Sequence, residues 1–418
     1  MAASLPESSR SFRFPNGFLW GAATASHQVE GGNRWNDWWA YEQDGRLPYK
    51  SGEACRHYEL YDQDFELARS LGHNAHRFSI EWSRIEPERG VWDLSALEHY
   101  AAVIAALRRR GIEPVVTLHH FTNPAWFSQL GGWTHRDSPA LFARYVACVA
   151  ERLAADVRYW ITINEPTVYV RHAYDTGDWP PCQPRAWFSG ARALLNLCRA
   201  HVAAYGILHG RRSDVMAGIA HSAPHVVPCR ARHAADRLAA WLRDFALNRL
   251  MFRLLGPRPR EVLDFIGLNF YARQVVRWQA TAPGALVFGG ECRDDHHGEP
   301  RVFSALGWEI HAASLPPLLR RFAGYGVPLM ITENGIATSD ETLRTRYLTE
   351  HLRALALALR EGVPVLGYLY WTLMDNFEWT EGYGARFGLA ATDFTTQQRL
   401  PRPAAQAFKT VCETGQLA

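Results

Sequence analysis

Two glutamates end two of the most apolar segments of this sequence. Glu165 lies near the end of YWITINEP, and Glu333 lies near the end of PLMITENG. A carboxylate at the end of a buried segment is costly unless it has a partner or lies at a solvent-accessible mouth. One such residue is easily an ion-pair partner, whereas two suggest a functional pair. Paired carboxyl groups suit glycoside hydrolysis, in which one protonates the leaving oxygen and the other stabilises or attacks the anomeric carbon.

Polar and aromatic side chains lie at or just past the carboxyl ends of seven of the eight apolar segments, including the two that end in Glu165 and Glu333. Taken singly, each has a structural explanation: Arg77 as an ion-pair partner, His120 as a hydrogen-bonded core histidine, and Asn164 as a cap before Pro166. Taken together, their shared position at segment ends favours a site. Arg77 is available to keep one of the two carboxyl groups ionised. The set comprises Gln28, Arg77, His120, Asn164, Glu165, Asn269, Tyr271, Glu333 and Trp371.

The segments that carry these residues alternate with amphipathic stretches. Continuous apolarity is typical of strands buried on both faces of a parallel sheet, and apolar residues at three- and four-residue spacing predict helices between them. Eight strand–helix units predict an α/β fold, a single (β/α)8 TIM barrel whose strand ends meet at one mouth. The predicted strands are Phe18–Thr24, Ala75–Glu81, Glu113–His120, Tyr159–Glu165, Met216–Ser222, Asp264–Tyr271, Pro328–Glu333 and Val365–Thr372. The clearest helical stretches are Leu94–Arg110, Pro139–Ala154, Ala231–Leu254 and Glu341–Glu361.

Composition excludes several classes of protein. Hydrophobic residues make up 47% of the 418 residues and charged residues 21%, which is typical of a folded globular chain. The formal net charge of +3 gives no electrostatic footprint for nucleic acid. No segment reaches the ~20 apolar residues of a membrane helix, and no leader-peptide pattern is visible, so we expect a cytoplasmic protein without membrane contact. Because no linker interrupts the chain, we expect one catalytic domain over 1–418, with a flexible tail at residues 1–13.

Metal, disulfide and cofactor chemistry have little support in the sequence. The seven cysteines are scattered and odd in number, which predicts free thiols in a reducing compartment and neither a disulfide framework nor a zinc site. His119–His120 and His296–His297 lack further ligands at metal spacing. The motifs of zinc proteases, phosphate-binding loops and serine hydrolases are missing. We therefore predict no metal and no cofactor.

Eight blocks of the sequence resemble the successive signatures of family 1 glycoside hydrolases, the β-glucosidase family. They occur in the family's order from about Phe14 to about Lys409. The blocks are FLWGAATASHQVEGG, HRFSIEWSRIEP, TLHHFTNPAW, YWITINEP, DFIGLNFYAR, LGWEIH, ITENG and YWTLMDNFEWTEGYGARFGL. The resemblance implies a retaining glycosidase built on a TIM barrel.

The resemblance also implies roles for individual residues. Glu165 matches the acid/base and Glu333 the nucleophile. Arg77 and Tyr271 match residues that contact and orient the nucleophile, with Asn269 beside them. A further set matches the groups that bind the sugar: Asn164 at the 2-hydroxyl, Gln28, His120, Glu378 and Trp379 at the other hydroxyls, Trp371 beneath the ring with a cis peptide after it, and Trp308 at the aglycone. We expect Trp20, Trp35, Trp82 and Trp160 to pack in the core instead.

The sequence departs from the family pattern around the entrance. Phe121–Pro124 stands where the family commonly has Trp-Asp-Leu-Pro. Leu254 leads through GPRPREV almost directly to DFIGLNFY, where relatives usually insert several tens of residues, and the connection after Asp178–Pro181 is also short. The aglycone preference and the oligomeric state of relatives are therefore not carried over. Loss of a subunit-contact helix would leave a monomer.

The leading hypothesis is a retaining exo-β-glycosidase that acts on small β-glycosides or short oligosaccharides. It would remove terminal β-D-glucosyl residues, with β-D-galactosyl and β-D-fucosyl residues as further substrates, through a covalent glycosyl-enzyme. The alternative is a catalytically silent sugar-binding barrel, disfavoured because both carboxyl groups and their apparent supports are present. A phosphosugar isomerase or aldolase would instead carry a phosphate-binding glycine-rich loop after strands seven and eight, where this chain has Glu333 and Trp371–Glu378.

Overall fold

Eight parallel strands close into a barrel in the computed structural model, which describes residues 11–279, 287–294 and 300–417. Each strand is hydrogen-bonded to its neighbours in chain order, and the last closes on the first. This confirms the predicted (β/α)8 fold. The strands are β1 (Leu19–Ala23), β2 (Ala75–Ser79), β3 (Glu113–Thr117), β4 (Tyr159–Asn164), β5 (Met216–Ser222), β6 (Phe265–Asn269), β7 (Leu329–Asn334) and β8 (Val365–Trp371).

The strands are buried on both faces, which explains their continuous apolarity. One apolar side chain from each of seven strands fills the barrel interior: Ala75, Val115, Ile161, Ala220, Phe265, Met330 and Leu369. A larger apolar layer lies between the barrel and the helices, and Trp20, Trp82 and Trp160 are buried in it as predicted. Trp35 is not: it lies in the turn before a short helix, where its backbone carbonyl accepts from the Ala125 N–H at 2.8 Å. Its side chain is 53% exposed.

Eight longer helices surround the barrel, one after each strand. They are α1 (His57–Ser70), α2 (Leu94–Arg109), α3 (Ser138–Leu153), α4 (Trp187–Arg211), α5 (Ala234–Asp244), α6 (Leu315–Ala323), α7 (Glu341–Arg360) and α8 (Pro403–Thr414). The helix predicted over Ala231–Leu254 is divided, since a π-helical turn at Phe245–Arg249 separates α5 from Leu250–Leu254. Among the described residues, no helix combines the length and apolarity that a membrane span requires.

Shorter elements complete the connections. The additional α-helical turns are Ser26–Val29, Asp37–Gln43, Trp82–Ile85, Ala125–Gln129 and Pro166–Val170. A second π-helical turn spans Arg171–Thr176, and 3-10 turns span Gly132–Thr134, Ala154–Asp156, Pro259–Glu261, Ala312–Ser314 and Trp379–Glu381. Two hydrogen-bonded ribbons pair Phe12–Arg13 with Gln416–Leu417, and Ala390–Thr392 with Arg399–Pro401.

A small sheet stands beside the barrel mouth and is called the entrance sheet below. It consists of His225–Pro228 and Arg273–Arg277 in parallel, with Gly290–Glu291 antiparallel at its edge. This sheet brings together Cys229 and Cys292, which form a disulfide with a Cα–Cα distance of 6.0 Å. The prediction that all seven cysteines are free thiols is therefore wrong for this pair, because pairing of distant strands cannot be seen in the 63-residue separation along the chain. The other five cysteines are free.

The predicted tail over residues 1–13 needs a correction at its end. Phe12–Arg13 forms a strand against Gln416–Leu417, and the Phe14 N–H donates to the Gly415 carbonyl at 2.9 Å. Pairing with the C-terminal segment satisfies these backbone groups, so the ordered chain begins before residue 14. Residues 1–10 lie outside the described residues.

Candidate active site

The two glutamates lie at the carboxyl end of the barrel. Glu333 belongs to β7, and its register partner on β6 is Asn269. Glu165 follows β4 directly, with its N–H donating to the Ala220 carbonyl at 2.7 Å. Its φ of 44° lies in the left-handed region, which residues other than glycine rarely adopt. Such backbone conformations concentrate at functional sites. Glu165 is 7% exposed and Glu333 is 4% exposed, so both carboxyl groups are largely withdrawn from water.

Both oxygens of the Glu333 carboxyl are held by strong donors. The buried Arg77 donates from Nη1 to Oε1 at 2.5 Å, and the Tyr271 hydroxyl donates to Oε2 at 2.5 Å. Arg77 is itself fixed by three other acceptors: the Thr332 carbonyl at 3.2 Å, Thr117 Oγ1 at 3.0 Å and Asn164 Oδ1 at 2.7 Å. A cation and a hydroxyl therefore both favour the ionised form of Glu333.

Glu165 is held by a neutral amide instead. Asn269 donates from Nδ2 to Glu165 Oε1 at 2.9 Å and to Asn164 Oδ1 at 3.1 Å. The Thr332 hydroxyl donates to Asn269 Oδ1 at 2.6 Å, which fixes the orientation of that amide. Hydrogen bonds thus link the two carboxyl groups through Asn269, Asn164 and Arg77.

The surroundings of the two carboxyl groups give Glu165 a higher affinity for a proton than Glu333. Burial raises the pKa of Glu165 to about 8, and the nearby Glu333 charge adds to this, against the opposing Asn269 hydrogen bond and Arg77 charge. Burial also raises the pKa of Glu333 above 4.5, but Arg77 and Tyr271 oppose it. Because only Glu333 is bound directly by a cation, a proton shared by the pair resides on Glu165.

A second polar group lies at the closed end of the cleft. Gln28 donates from Nε2 to Glu378 Oε2 at 3.0 Å and to the Phe377 carbonyl at 2.9 Å. Burial raises the pKa of Glu378 to about 8, and the Glu333 charge contributes. Gln28 Oε1 is buried and has no partner in the described part of the chain. Among the described residues, the Glu378 carboxyl forms no ion pair with Arg386, the arginine that lies eight positions further along the chain.

Aromatic rings stack along one wall of the cleft. The His120 ring lies nearly parallel to Trp371 at 5.8 Å and to Trp379 at 6.1 Å between centroids. Asn164 Nδ2 donates to His120 Nε2 at 3.2 Å, so the proton of the neutral ring lies on Nδ1. Burial and the Arg77 charge hold the pKa of His120 well below 6.5, and the ring stays neutral. The peptide between Trp371 and Thr372 is cis.

Comparison with known proteins identifies the family. The model described as glycosyl hydrolase family 1 matches residues 10–255 and 253–416. The chain belongs to glycosyl hydrolase family 1. The protein is therefore a glycoside hydrolase. The break between the two matched pieces falls where the sequence runs from Leu254 almost directly to β6.

Relatives of this family 1 hydrolase act on more than one sugar. β-Glucosidase A of Thermotoga maritima is 32% identical over 453 aligned positions, covering 97% of this chain and 99% of the relative. A 6-phospho-β-galactosidase of Lacticaseibacillus casei is 30% identical, covering 96% and 98%. The solved β-glycosidase from Pyrococcus horikoshii is 40% identical with a TM-score of 0.91, covering 97% of this chain and 96% of that one.

An open cavity of about 360 Å³ extends from Glu165 toward solvent in this family 1 hydrolase and is called the entrance cavity. Trp308 lines it and packs against Tyr271 with centroids 5.3 Å apart. Glu309 lines it as well, and Arg273 and Arg301 both form ion pairs with its carboxylate. This ion-pair cluster was not predicted from the sequence, although Glu309 follows Trp308 in LGWEIH.

Every site residue predicted from the sequence lies at this mouth. Two buried threonines were missed: Thr117 holds Arg77, and Thr332 holds both the Arg77 and the Asn269 side chains in place. A hydroxyl inside an otherwise apolar strand needs a partner, which is the signal that could have found them. No group of three or more His, Cys, Asp or Glu side chains is arranged to hold a metal within residues 11–279, 287–294 and 300–417. His296–His297 lies outside the described residues.

Proposed function

We propose that this chain is a retaining exo-β-glycosidase that removes terminal non-reducing β-D-glucosyl residues, with β-D-galactosyl and β-D-fucosyl residues as further substrates. The proposal rests on one observation: two buried carboxyl groups have different hydrogen-bond donors. Glu333 has a guanidinium and a hydroxyl on its two oxygens, whereas Glu165 has an amide donor and a raised pKa of about 8. One is suited to attack and the other to donate a proton.

In the first step, a Glu333 oxygen attacks the anomeric carbon as the bond from that carbon to the leaving oxygen breaks. Glu165 transfers its proton to the leaving oxygen, and the aglycone departs as an alcohol. Glu333 loses its negative charge when the glycosyl ester forms. Because that charge raises the Glu165 pKa, the pKa of Glu165 falls, and the group becomes a base.

In the second step, a water molecule loses a proton to Glu165 and attacks the anomeric carbon. The ester bond to Glu333 breaks, and the sugar leaves with the configuration it had at the start. Arg77 and Tyr271 stabilise the carboxylate that is released. Asn269 keeps the Glu165 carboxyl in position through both steps.

Sugar recognition is assigned to the closed end of the cleft. Glu378 and Trp379 would bind the 4- and 6-hydroxyls, Gln28 and His120 would bind further hydroxyls of the same sugar, and Asn164 would bind the 2-hydroxyl. Trp371 would form the platform beneath the ring, and Trp308 would contact the aglycone. The two oxygens of the Glu378 carboxyl can form hydrogen bonds with two adjacent hydroxyls at once.

Three measurements test this function. NMR during early turnover should detect the β-anomer first, and a crystal structure should separate the carboxyl groups by ~5–5.5 Å. A 2-deoxy-2-fluoro-β-glucoside with a good leaving group should add one glycosyl mass to the protein, and Glu333→Ala should abolish the addition. The α-anomer as first product would mean inversion. Binding of the sugar without turnover would mean a silent sugar-binding barrel.

Domain organisation, location and assembly complete the proposal. We propose one catalytic domain and a cytoplasmic location, and a monomer if the shortened connection after Leu254 removes a subunit contact. Five free cysteines are typical of a reducing compartment, in which the Cys229–Cys292 bond would be the exception. Thiol titration of protein unfolded without reductant should give five thiols, because Cys229 and Cys292 are bonded, and seven thiols would contradict that bond. Sedimentation velocity tests the monomer.

A further inference from the structure

Trp179 carries a buried indole N–H that no other described residue binds. The residue is 6% exposed, and its Nε1 has no hydrogen-bond partner within the part of the chain that the structure describes. A buried donor without a partner is costly, and native structures nearly always supply a partner from protein, water or ligand. No role was predicted for Trp179 from the sequence, where it belongs to the short connection at Asp178–Pro181.

The rings around Trp179 connect it to the residues that are assigned to the sugar. Its ring centroid lies 4.8 Å from that of Phe121 and 5.8 Å from that of Trp379. Phe121 follows His120 directly, and the Trp379 ring stacks on the His120 ring. On its other side, Trp179 stacks at 4.3 Å on His172, which lines the entrance cavity. Trp179 therefore lies between the wall of the entrance cavity and the sugar-binding cluster.

The loop that carries Trp179 is held by its own contacts. His172 Nδ1 lies 3.0 Å from Asp178 Oδ2, and the Tyr41 hydroxyl donates to the Asp178 carbonyl at 3.2 Å. The Cys182 N–H donates to the Trp179 carbonyl at 2.7 Å. The indole is thus fixed without help from a substrate, and a donor that is fixed in advance loses little entropy when a ligand binds.

The backbone next to Trp179 is strained at two positions. Phe121 has a φ of 70° and Trp379 a φ of 48°, in the left-handed region that residues other than glycine rarely adopt. Such conformations concentrate at ligand-binding and active sites. Phe121 also stands where the family commonly has tryptophan. This chain therefore has no indole next to His120 in the sequence, and Trp179 brings one against the Phe121 ring from another loop.

The order of the sugar hydroxyls indicates which of them Trp179 would meet. Asn164, assigned to the 2-hydroxyl, donates to His120 Nε2 at 3.2 Å. Trp379, assigned with Glu378 to the 4- and 6-hydroxyls, lies on the far side of the His120 ring at 6.1 Å. The 3-hydroxyl lies between the 2- and 4-hydroxyls on the sugar ring. It should therefore face His120, where Trp179 packs against two of the adjoining rings.

We propose that Trp179 binds the sugar: its Nε1 donates a hydrogen bond to the 3-hydroxyl of the terminal residue and selects sugars whose 3-hydroxyl is equatorial. This inference rests on the proposed function and adds a specificity residue to it. An indole N–H only donates, so the hydroxyl oxygen accepts from Trp179 and its own proton stays available to another group. Glucose, galactose and fucose share this configuration at carbon 3, so all three should use the bond.

The test is Trp179→Phe, which removes the donor and keeps an aromatic ring. The variant should lower kcat/KM for 4-nitrophenyl β-D-glucoside about tenfold, the upper part of the range for one neutral hydrogen bond. It should leave kcat/KM for the 3-deoxy analogue nearly unchanged, because that substrate cannot form the bond with either protein. The galactoside should lose the same factor as the glucoside.

Trp126→Phe is the matched control, since it makes the same exchange at an indole that donates to the Glu86 carbonyl at 2.9 Å. It should lower the melting temperature and keep kcat/KM on both substrates. A second measurement needs no variant: a crystal structure of the unmodified protein with glucose should place the 3-oxygen about 2.7–3.2 Å from Trp179 Nε1.

Three results would overturn the inference. They are an unaffected Trp179→Phe, equal losses on the glucoside and its 3-deoxy analogue, and an Nε1 that is bound only to water or protein in the glucose complex. Equal losses would mean that Trp179 supports the fold alone. If the unmodified protein does not hydrolyse the glucoside, the proposed function fails as well, whereas normal hydrolysis with an unaffected Trp179→Phe removes this inference alone.

Discussion

Glu165 and Glu333 differ in their hydrogen-bond donors much more than in their burial. Arg77 and Tyr271 bind Glu333, whereas Asn269 binds Glu165. A carboxyl group that is bound by a cation gives up its proton at lower pH than a neighbour bound by an amide. The different roles proposed for the two glutamates therefore depend on three side chains. Arg77 comes from β2, Asn269 from β6, and Tyr271 from the loop after β6.

Removing either glutamate should have different consequences. Glu333→Ala should abolish turnover on every substrate, because no covalent intermediate can form. Glu165→Ala should slow glycosides of poor leaving groups about 10²–10⁴-fold and aryl glycosides of good leaving groups far less. Azide should restore activity to Glu165→Ala and yield a β-glycosyl azide detectable by NMR. Equal losses on good and poor leaving groups would contradict the assignment of Glu165.

The pH dependence of kcat/KM should follow the raised pKa values of Glu165 and Glu333. Glu165 must be protonated, so kcat/KM should fall as pH rises through about 8. Glu333 must be ionised, so kcat/KM should also fall as pH drops through its own pKa, which burial raises above 4.5. The Arg77 charge lowers that pKa, and Arg77→Met should move the acid limb upward by about one to three pH units. Arg77→Lys keeps the charge and should move it less. An unchanged acid limb in folded Arg77→Met would show that Arg77 does not tune Glu333.

Glu378 should make the enzyme select an unphosphorylated sugar over the corresponding 6-phosphate. The Glu378 and Gln28 side chains offer a 6-phosphate no cation, and the phosphate would repel the Glu378 carboxyl wherever that carboxyl is ionised. A relative of this chain is a 6-phospho-β-galactosidase, so family membership leaves the question open. We expect hydrolysis of 4-nitrophenyl β-glucoside and essentially none of its 6-phosphate. Glu378→Ala should lower kcat/KM on the former more than ~10-fold, as the loss of hydrogen bonds to a buried polar group does. Efficient turnover of the phosphate, or an unaffected Glu378→Ala, would remove this residue from the site.

At the scale of elements, close packing of β7 and β8 brings Glu333 and Trp371 to the same mouth. Gly335 follows β7 in ITENG, and a Cβ there would lie 1.9 Å from the Trp371 carbonyl oxygen. A contact this short forces the strand ends apart. The glycine of this motif is therefore required by the approach of the two strands and not by a positive φ.

Gly335→Ala should displace Trp371 and weaken both the fold and the site. We expect a lower melting temperature and a lower kcat/KM on aryl β-glucosides, with both read on the same preparation by thermal unfolding and steady-state kinetics. Gly326→Ala is a useful comparison, because nothing lies within 4 Å of its Cβ position and only its positive φ is strained. It should lower the melting temperature and leave kcat/KM unchanged. Wild-type kinetics in Gly335→Ala would contradict the assigned contact.

At the scale of the whole molecule, the cleft is open at the entrance cavity and closed behind the sugar. Gln28, Asn376 and Phe377 are buried at the closed end and are hydrogen-bonded to one another through the Gln28 amide. A glycan chain cannot continue past them. The burial of these groups supports the proposed exo action, in which one sugar lies behind the carboxyl pair and the rest of the substrate extends toward solvent.

Short oligosaccharides should therefore be shortened one residue at a time. We expect cellotetraose to give glucose and cellotriose as its first products, followed by glucose and cellobiose. Anion-exchange chromatography of early time points separates these products from the cellobiose that an internal cleavage would yield. Cellobiose as the main first product from cellotetraose would mean that the cleft is open at both ends.

The sequence by itself determined the barrel and the two glutamates, because both follow from patterns local along the chain. The eight apolar segments appear as eight strands, and Glu165 and Glu333 lie at strand ends since a carboxylate inside the apolar run would be unpaired. The family signatures then indicated which other side chains belong to the mouth.

Only the tertiary structure decided which groups face each other. The ion pair between Arg77 and Glu333 spans 256 positions, and the Cys229–Cys292 bond spans 63. The exposure of Trp35 likewise depends on how the connections between strands and helices pack. Such contacts form only when the barrel closes and the loops pack against it. The spacing of apolar residues along the chain indicates which side chains are buried, but it does not indicate which side chains they contact.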